Sequence, residues 1–285
     1  MAETVAIVTP AYLAERWIGT AVRSVLAQSY PHWQHWIVAD DGLDYEALLA
    51  AAGLRDPRLK FLASGTIGGG ASRARNAGLD AIGADYVAVL DADDAFRPDK
   101  LARAVAALEH HAIVSVALDE RTPAGAHLRF VGEGPDTDLP ASRYKWVNLS
   151  MDSMIVWDRR RTDGRYDPDL VNMNDLDFLL RLFARATGTW HLGTPLHDYL
   201  KLDQSLSNGP GVTATMIRSK QEILSRLETG FYPMADPAGV EGMAKFLGIS
   251  LCAEAAYPAA LAARPGLLFE DHLEPMLRAE KPLSA

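Results

Sequence analysis

Short apolar runs alternate with longer amphipathic segments from the first residues to about position 118. The runs have the length of buried strands, and the segments between them repeat their apolar positions with helical spacing. The predicted strands cover residues 5–9, 36–39, 59–63, 86–90 and 113–118, and the predicted helices cover residues 15–28, 45–52, 71–82 and 99–110. This alternation predicts an α/β fold with a mostly parallel sheet flanked by helices.

Beyond residue 118, helical patterns occur within residues 166–186 and dominate from about residue 212 onward. Within residues 166–186 the apolar positions recur at i, i+3, i+4 and i+7, which is the stripe of an amphipathic helix; they are Leu176, Leu179, Leu180 and Phe183. Further helices are predicted over residues 214–227, 239–256 and 265–277. Because Glu254 and Pro258 interrupt the apolar stretch 246–263, we expect a buried helix there and not a membrane anchor.

Composition narrows the classes of partner. The formal net charge is −9, from 37 acidic and 28 basic residues, and no Lys/Arg block is interleaved with aromatic residues, so we expect no nucleic-acid partner. Cys252 is the only cysteine, which excludes an internal disulfide and a cysteine-based zinc site. The first residues lack a basic region followed by an apolar core, so we expect a cytoplasmic protein, with peripheral membrane contact left open.

Polar pairs follow three of the predicted strands directly: Thr9-Pro10, Asp40-Asp41 and the sequence Asp91-Ala92-Asp93. In parallel sheets ligands bind outside the carboxyl ends of the strands, so these side chains should converge on one edge. Ordinary polar loops would give the same pattern at any one strand. The coincidence of all three favours a binding site.

A triple glycine at 68–70 leads into the helix predicted at 71–82. At 100° per residue, Arg75 falls on the inward stripe of that helix and Arg73 falls opposite, toward solvent. An inward arginine beside carboxylates either pairs with one of them or binds an anionic or carbonyl-bearing ligand. Both alternatives remain open at the level of the residues.

The sequence does not support a P-loop or a dinucleotide-binding fingerprint. The sequence has neither G-x-x-x-x-G-K-[ST] nor G-x-G-x-x-G after the first strand. Asp91 and Asp93, spaced D-x-D on a turn, could instead hold Mg²⁺ or Mn²⁺, and the cation would bridge to the phosphates.

Four motifs together resemble the family 2 glycosyltransferases of the glycosyltransferase-A fold. They read TPAYL at 9–13, ADDGL at 39–43, ARNAG at 74–78 and LDADD at 90–94. The resemblance implies that Pro10, Tyr12 and Asp41 line the nucleotide base pocket with Arg75. It also implies that Asp91 lies near the ribose and that Asp93 coordinates the metal, while Asp94 shapes the turn. Leu13 and Leu43 depart from the family, which usually has Asn and Ser there.

The family's E-D-x-D-x-x-x-R segment is matched at 174–181, with Asn174 in place of the Glu. The resemblance makes Asp175 the general base. A carboxylate at a helix start is also explained by capping and the helix dipole, and Asp177 with Arg181 is predicted as a structural i, i+4 ion pair.

Residues 196–211 resemble the family's closing Y-R-x-H-x-x-S-x-S segment, but Leu200 and Leu202 replace the Arg and the His. His197, Lys201 and Asn174 are therefore candidate substrate or lid contacts. Asn208, Gly209 and Gly211 suggest a loop that closes over the donor, with a plain surface turn as the alternative.

The resemblance predicts an inverting enzyme that moves a sugar from a nucleotide-diphosphate sugar, UDP-type favoured, to a hydroxyl acceptor with a divalent cation, Mg²⁺ or Mn²⁺. The acceptor would be a glycan, a lipid-linked glycan or a small molecule. The expected layout is a catalytic domain at 1–210, with a nucleotide-binding half at 1–110 and an acceptor half at 111–210. A helical appendage at 211–285 could form a homodimer contact. The alternatives are a degenerate nucleotide-sugar-binding scaffold and a sugar nucleotidyltransferase.

Overall fold

The computed structural model describes residues 3–202 and 212–280. Its strands are β1 Val5–Ala11, β2 Trp33–Ala39, β3 Leu59–Ala63, β4 Tyr86–Val89, β5 Ala95–Phe96, β6 Ile113–Arg121, β7 His127–Val131, β8 Thr137–Pro140, β9 Val156–Asp158 and β10 Gly188–Leu200. Its α-helices are α1 Ile18–Leu26, α2 Tyr45–Ala51, α3 Ala71–Ala81, α4 Lys100–Leu108, α5 Tyr144–Val147, α6 Asn174–Leu182, α7 Val212–Glu228, α8 Pro237–Ala263 and α9 Phe269–Ala279. A 3₁₀ turn, Ala141–Arg143, precedes α5.

One mixed sheet forms the centre of the molecule, in the order β3-β2-β1-β4-β9-β6-β10-β5. Strands β1 to β4 are parallel, and β6 is parallel to β10. Strand β9 runs antiparallel between β4 and β6. β7 pairs with β6, and β8 pairs with β10. The predicted α/β fold is confirmed, and β1 to β4 are parallel as predicted; β5, β7, β8 and β9 pair antiparallel, so the sheet as a whole is mixed.

Apolar side chains cover both faces of the sheet. Along β1, Val5 and Ile7 join one core while Ala6 and Val8 join the other, as the period of two in a strand requires. Helices α1, α2 and α4 pack on the first face. Helices α3 and α6 and the three C-terminal helices pack on the second face. The C-terminal helices thus extend the core that lies under α3 and α6.

The close approach of α3 to the sheet depends on Gly78. A Cβ atom at this position would lie 2.5 Å from Cγ1 of Val8, so a larger residue would push the helix away from β1. One turn earlier in α3, Arg75 is held over the carboxyl ends of the strands. The packing of a single glycine therefore sets the height of the arginine above the sheet.

For the elements that the sequence predicted, most boundaries lie within three residues of the observed ones; β5, β7 to β10 and α5 were not predicted. The largest change is in α8, which continues from Pro237 to Ala263 through Pro258. Its first half packs Met243, Phe246 and Leu247 into the core, whereas Leu261 near its end is 37% exposed. The expected burial of the stretch 246–263 therefore holds only for its first part.

By length and composition alone, α8 could cross a membrane, and 28% of its most apolar window is buried in the protein. Core helices of soluble proteins also pass this test, so it does not by itself define a membrane span.

Candidate active site

Asp41 follows β2 and is held by three donors. Its carboxylate accepts hydrogen bonds from the Leu13 amide at 2.6 Å, the Leu43 amide at 3.0 Å and the Tyr45 hydroxyl at 2.7 Å. Burial alone would raise the pKa of Asp41, but these hydrogen bonds outweigh it and lower the pKa below its usual value. The carboxylate is thus ionised and fixed at the edge of the sheet.

The two departures from the family pattern affect side chains that Asp41 does not use. Leu13 and Leu43 bind Asp41 through their backbone amides, and their side chains are 63% and 37% exposed. Leu13 has φ 49°, in the left-handed region that asparagine adopts more readily than leucine. The contacts around Asp41 are therefore preserved despite both substitutions.

Pro10 lies in β1, and Tyr12 is the first residue after the end of β1. Tyr12 is 55% exposed, so its ring is accessible at the strand ends. The neighbouring Asp40 is buried and accepts from the Gly70 amide at 2.8 Å and the Gly69 amide at 3.2 Å. Asp40 therefore shapes the glycine loop that leads into α3.

Arg75 connects the two halves of the site. Its guanidinium donates to Asp91 at 2.6 Å, to Asp175 at 2.9 Å and to the Asn174 side chain at 3.3 Å. The Arg75 side chain is 5% exposed, whereas that of Arg73 is 51% exposed, as the helical stripe predicts. Of the two sequence-level alternatives, the structure shows direct pairing with carboxylates, and both pairs lie at the strand-end site.

Sequence reasoning missed the aromatic support beneath this arginine. The Arg75 guanidinium carbon lies 5.1 Å from the ring centre of Tyr166, and that ring stacks on Phe178 at 4.2 Å. Asn76 fixes the segment by exchanging two 2.9 Å hydrogen bonds with the backbone of Tyr166. The only sequence signal was the Asn that follows Arg75 in the ARNAG motif.

Asp91 and Asp93 lie on the turn after β4. Burial and the charge of Asp91 raise the pKa of Asp93 to about 6. The negative charge of one carboxylate favours binding of a proton or a cation at the other, and carboxylate oxygens are ligands that a hard divalent cation prefers. Within residues 3–202 and 212–280, no group of three potential metal-ligating side chains occurs. Asp91 and Asp93 are the two carboxylates on this turn that could hold such a cation.

Asp94 points away from the surface, into a fully buried hydrogen-bonded chain. It accepts from the Leu200 amide at 2.9 Å and contacts His197 at 3.0 Å, and His197 in turn contacts Lys100 at 3.0 Å. The exposed fraction of each of these three side chains is 1% or less. His197, expected as a substrate or lid contact, thus lies behind the acidic turn.

Lys201, the other candidate lid contact, is attached to the C-terminal helices. Its ammonium forms a hydrogen-bonded ion pair with Glu270 of α9 and lies 3.7 Å from Glu120. The expected closing loop with Asn208, Gly209 and Gly211 lies outside the described residues.

Asp175 lies in the first turn of α6, with 21% of its side chain exposed. Burial raises its pKa, Arg75 lowers it, and the charges of Asp91 and Asp152 raise it again, to about 6. Asp152 was not singled out in the sequence and is itself paired with buried Lys145 at 2.9 Å. This environment leaves Asp175 largely ionised at neutral pH but more basic than a free aspartate.

The predicted ion pair of Asp177 with Arg181 is present at 2.8 Å. Asp177 also accepts from Arg226 at 2.9 Å and from the Tyr232 hydroxyl at 2.6 Å. These two residues come from α7 and the loop after it, so the C-terminal part holds the helix that carries Asp175.

The fold is shared by solved structures of glycosyltransferases. The structure is similar to that of Staphylococcus aureus TarS 1-349 in complex with UDP-GlcNAc, with a TM-score of 0.69, 14% identity, and coverage of 96% of this chain and 79% of that one. It is also similar to the mannosyltransferase PcManGT from Pyrobaculum calidifontis in complex with GDP-Man and Mn²⁺, with a TM-score of 0.60, 16% identity, and coverage of 98% and 86%. At these identities the likeness establishes the glycosyltransferase-A fold.

The sequence profile of Glycosyl transferase family 2 matches residues 6–150, and the chain belongs to this family. TuaG of Bacillus subtilis, a glycosyltransferase named for teichuronic acid biosynthesis, is 26% identical over 72% of this chain and 81% of its own length. The Escherichia coli protein WfgD, named UDP-Glc:alpha-D-GlcNAc-diphosphoundecaprenol beta-1,3-glucosyltransferase, is 34% identical over 34% of this chain and 38% of its own. The protein is a glycosyltransferase.

Proposed function

We propose that the enzyme transfers a sugar from a nucleotide-diphosphate sugar to a hydroxyl acceptor with inversion, with Asp175 as general base and a divalent cation at Asp93. One observation carries the proposal: a single guanidinium, that of Arg75, joins Asp91 on the strand ends to Asp175 on α6, at 2.6 and 2.9 Å. The carboxylate suited to proton transfer therefore lies one side chain away from the carboxylates suited to the donor.

We assign binding of the nucleotide part of the sugar donor to Pro10, Tyr12, Asp41, Arg75 and Asp91. The open ring of Tyr12 offers a stacking surface for the base, and the ionised Asp41 offers an acceptor for base N–H groups. UDP is favoured because WfgD is named for UDP-Glc and the TarS complex contains UDP-GlcNAc.

The cation is assigned to Asp93, with Asp91 beside it. PcManGT, which shares the fold, was solved with Mn²⁺ together with GDP-Man. When bound, a divalent cation would stabilise the negative charge that develops on the leaving nucleotide diphosphate.

We assign removal of the proton from the acceptor hydroxyl to Asp175. As the acceptor oxygen forms its bond to the anomeric carbon, the bond to the diphosphate oxygen breaks on the opposite face, and Asp175 takes the hydroxyl proton. A base with a pKa of about 6 combines ionisation at neutral pH with useful basicity. Asn174, which replaces a carboxylate usual in the family, accepts a hydrogen bond from Arg75 and adds no charge beside the base.

The acceptor is assigned to the glycan or lipid-linked glycan class, because TuaG is named for teichuronic acid biosynthesis and WfgD for a diphosphoundecaprenol acceptor. The exposed end of α8 supports peripheral contact at the cytoplasmic membrane face or a homodimer through the C-terminal helices. Vesicle flotation and sedimentation velocity separate these two: flotation without dimerisation supports the membrane contact, and the reverse supports the dimer.

Calorimetric titration with UDP, GDP, CDP and dTDP, each with Mn²⁺ and again with EDTA, tests the donor assignment. We expect one nucleotide to bind in a metal-dependent way, and Asp93→Ala to abolish that dependence. Asp80→Asn is the matched control, because Asp80 is exposed and lies at the far end of α3. Equal binding of the nucleotide by Asp93→Ala and the wild type would remove Asp93 from the cation site.

A degenerate scaffold protein would bind the nucleotide without turnover. Donor hydrolysis that is lost in Asp175→Asn would exclude it. The sugar nucleotidyltransferase alternative lacks support, because Tyr12 and Leu13 stand after β1 where a glycine-rich basic loop would be needed.

A further inference from the structure

Three buried ionisable side chains lie behind the acidic turn and have no part in the steps above. They are Lys100 at the start of α4, His197 on β10 and Asp94 at the end of the turn. Their fractional exposures are 0%, 0% and 1%. Burying three such groups costs free energy unless they form hydrogen bonds with one another.

Hydrogen-bonding contacts link Lys100 to the turn through His197. Nζ of Lys100 lies 3.0 Å from Nδ1 of the imidazole. Nε2 of His197 lies 3.0 Å from Oδ2 of Asp94, and an imidazole protonated at Nε2 donates a hydrogen bond to this oxygen. Oδ1 of Asp94 accepts from the Leu200 amide, so both carboxylate oxygens are engaged.

The backbone around Asp94 leaves the turn little freedom. The Asp94 amide donates to the Asp91 carbonyl at 3.1 Å and closes the turn on itself. Immediately after Asp94, β5 pairs with β10, where Phe96 lies opposite His197. The ring of Phe96 packs against both partners, 3.8 Å from Nζ of Lys100 and 5.6 Å from the imidazole centre. The residues between β4 and β5 are thus fixed at both ends and anchored at Asp94.

We propose that Lys100 and His197 are positioning residues that hold Asp94, and through it set the separation of Asp91 and Asp93 for the divalent cation. This inference rests on the proposed cation site. It also accounts for Leu200, which replaces the family's Arg yet binds Asp94 through its backbone amide. Outer partners that orient carboxylate ligands typically change metal affinity roughly 10- to 100-fold when removed.

The test compares two substitutions at one position. Glutamine retains a side-chain N–H that can reach Asp94, whereas methionine fills similar space with no donor. Mn²⁺ affinity of the UDP-saturated protein is measured by the electron paramagnetic resonance signal of free Mn²⁺, alongside the melting temperature. We expect His197→Met to weaken Mn²⁺ binding about tenfold or more, and His197→Gln to stay within about threefold of wild type.

His191→Met is the matched control, because His191 is a second buried histidine on β10 that binds Ser115 and the Gly132 carbonyl away from the turn. It should lower the melting temperature without changing Mn²⁺ affinity. If His197→Met does not fold, Lys100→Met gives the same comparison with His197 retained, and we expect Mn²⁺ affinity to fall there too.

Failure of the positioning role and failure of the cation site give different results. Folded His197→Met with wild-type Mn²⁺ affinity, or an equal loss in His197→Met and His197→Gln, would overturn the positioning role while leaving the cation site intact. Absence of Mn²⁺ binding in the UDP-saturated wild type would overturn the proposed cation site itself and this inference with it.

Discussion

Within residues 1–110, the candidate donor contacts other than Arg75 lie at strand ends or within two residues of one, whereas the C-terminal helices reach the site only through other side chains. Asp41 and Asp91 follow β2 and β4 by two residues. Arg226 and Tyr232, by contrast, contact Asp177. Asp177 is not at a strand end; it lies on α6, two residues after Asp175. Under the proposed function, the first region contacts the donor directly and the second supports the helix that carries Asp175.

The physical difference lies in how position is specified. Parallel strands bring their carboxyl ends to one edge of the sheet. Residues far apart in sequence therefore lie close together there, whether or not their side chains contact one another. A helix packed on another helix meets it only where particular side chains are complementary. The buried Asp177 carboxylate, with Arg181, Arg226 and Tyr232 around it, is such a place.

The largest effect is expected from removing the proposed base, Asp175. Asp175→Asn should lower kcat by roughly 10²- to 10⁴-fold, the usual contribution of a general base, and leave metal-dependent UDP binding intact. Steady-state transfer assays and calorimetry measure the two quantities. Asp169→Asn, at a carboxylate that is 87% exposed, is the control and should match wild type. Weakened UDP binding with residual transfer would assign the base elsewhere.

The supporting role of the C-terminal helices is tested at Arg226. Arg226→Met leaves Asp177 with two of its three side-chain donors, so we expect a loss of about 2 kcal/mol in the free energy of unfolding. Because α6 carries Asp175, kcat should fall while UDP affinity is kept. Urea denaturation and kinetics check this, with Arg278→Met as the control, since Arg278 is 76% exposed. Unchanged kcat in a destabilised variant would make the contact purely structural.

The pH dependence of kcat/KM tests how the charges around Asp175 set its pKa. Asp175, with a pKa of about 6, is protonated and inactive below that value, so kcat/KM should rise through pH 6 and then level off. The charge of Asp152 raises this pKa, so Asp152→Asn should move the rising limb to lower pH. Asp138→Asn, at a side chain that is 81% exposed, should not move it. A limb unmoved by Asp152→Asn would contradict the assignment of that limb to Asp175.

The smallest effect is expected at Leu13. With φ at 49°, leucine is strained where asparagine is tolerated, so Leu13→Asn should stabilise the protein by about 1 kcal/mol or less. UDP binding should be unchanged, because Asp41 uses only the backbone amide of Leu13. Leu43→Asn is the control, because Leu43 is not among the residues with positive φ. A stabilisation of equal size there would indicate a surface effect and not relief of strain.

Much of the donor side was predictable from local sequence. The strand pattern located Asp41 and Asp91, and the helical stripe placed Arg75 inward and Arg73 outward. The sequence left open whether Arg75 pairs with carboxylates, because the partner, Asp175, lies 100 residues further along the chain. Tyr166 beneath Arg75 and Asp152 near Asp175 were missed for a similar reason, because neither pair is close enough in sequence for a local pattern to show the contact.

His197 shows the limit of reading roles from sequence position. It stands near the family's closing segment and was therefore expected at a substrate or lid contact. In the structure, the pairing of β5 with β10 places it opposite Phe96, with its ring against Asp94. Strand register decided the side to which the imidazole points, and no local pattern in the sequence encodes the register between strands 100 residues apart.

By itself the sequence determined the α/β fold, the family and the row of polar residues at the strand ends, since hydrophobic periodicity and strand-end position are local properties. Only the tertiary structure decided that Arg75 joins Asp91 to Asp175, that Asp94 turns inward to His197 and Lys100, and that α7 holds α6 at Asp177. Those contacts depend on the crossing of helices and the register of distant strands, which arise when the two cores pack.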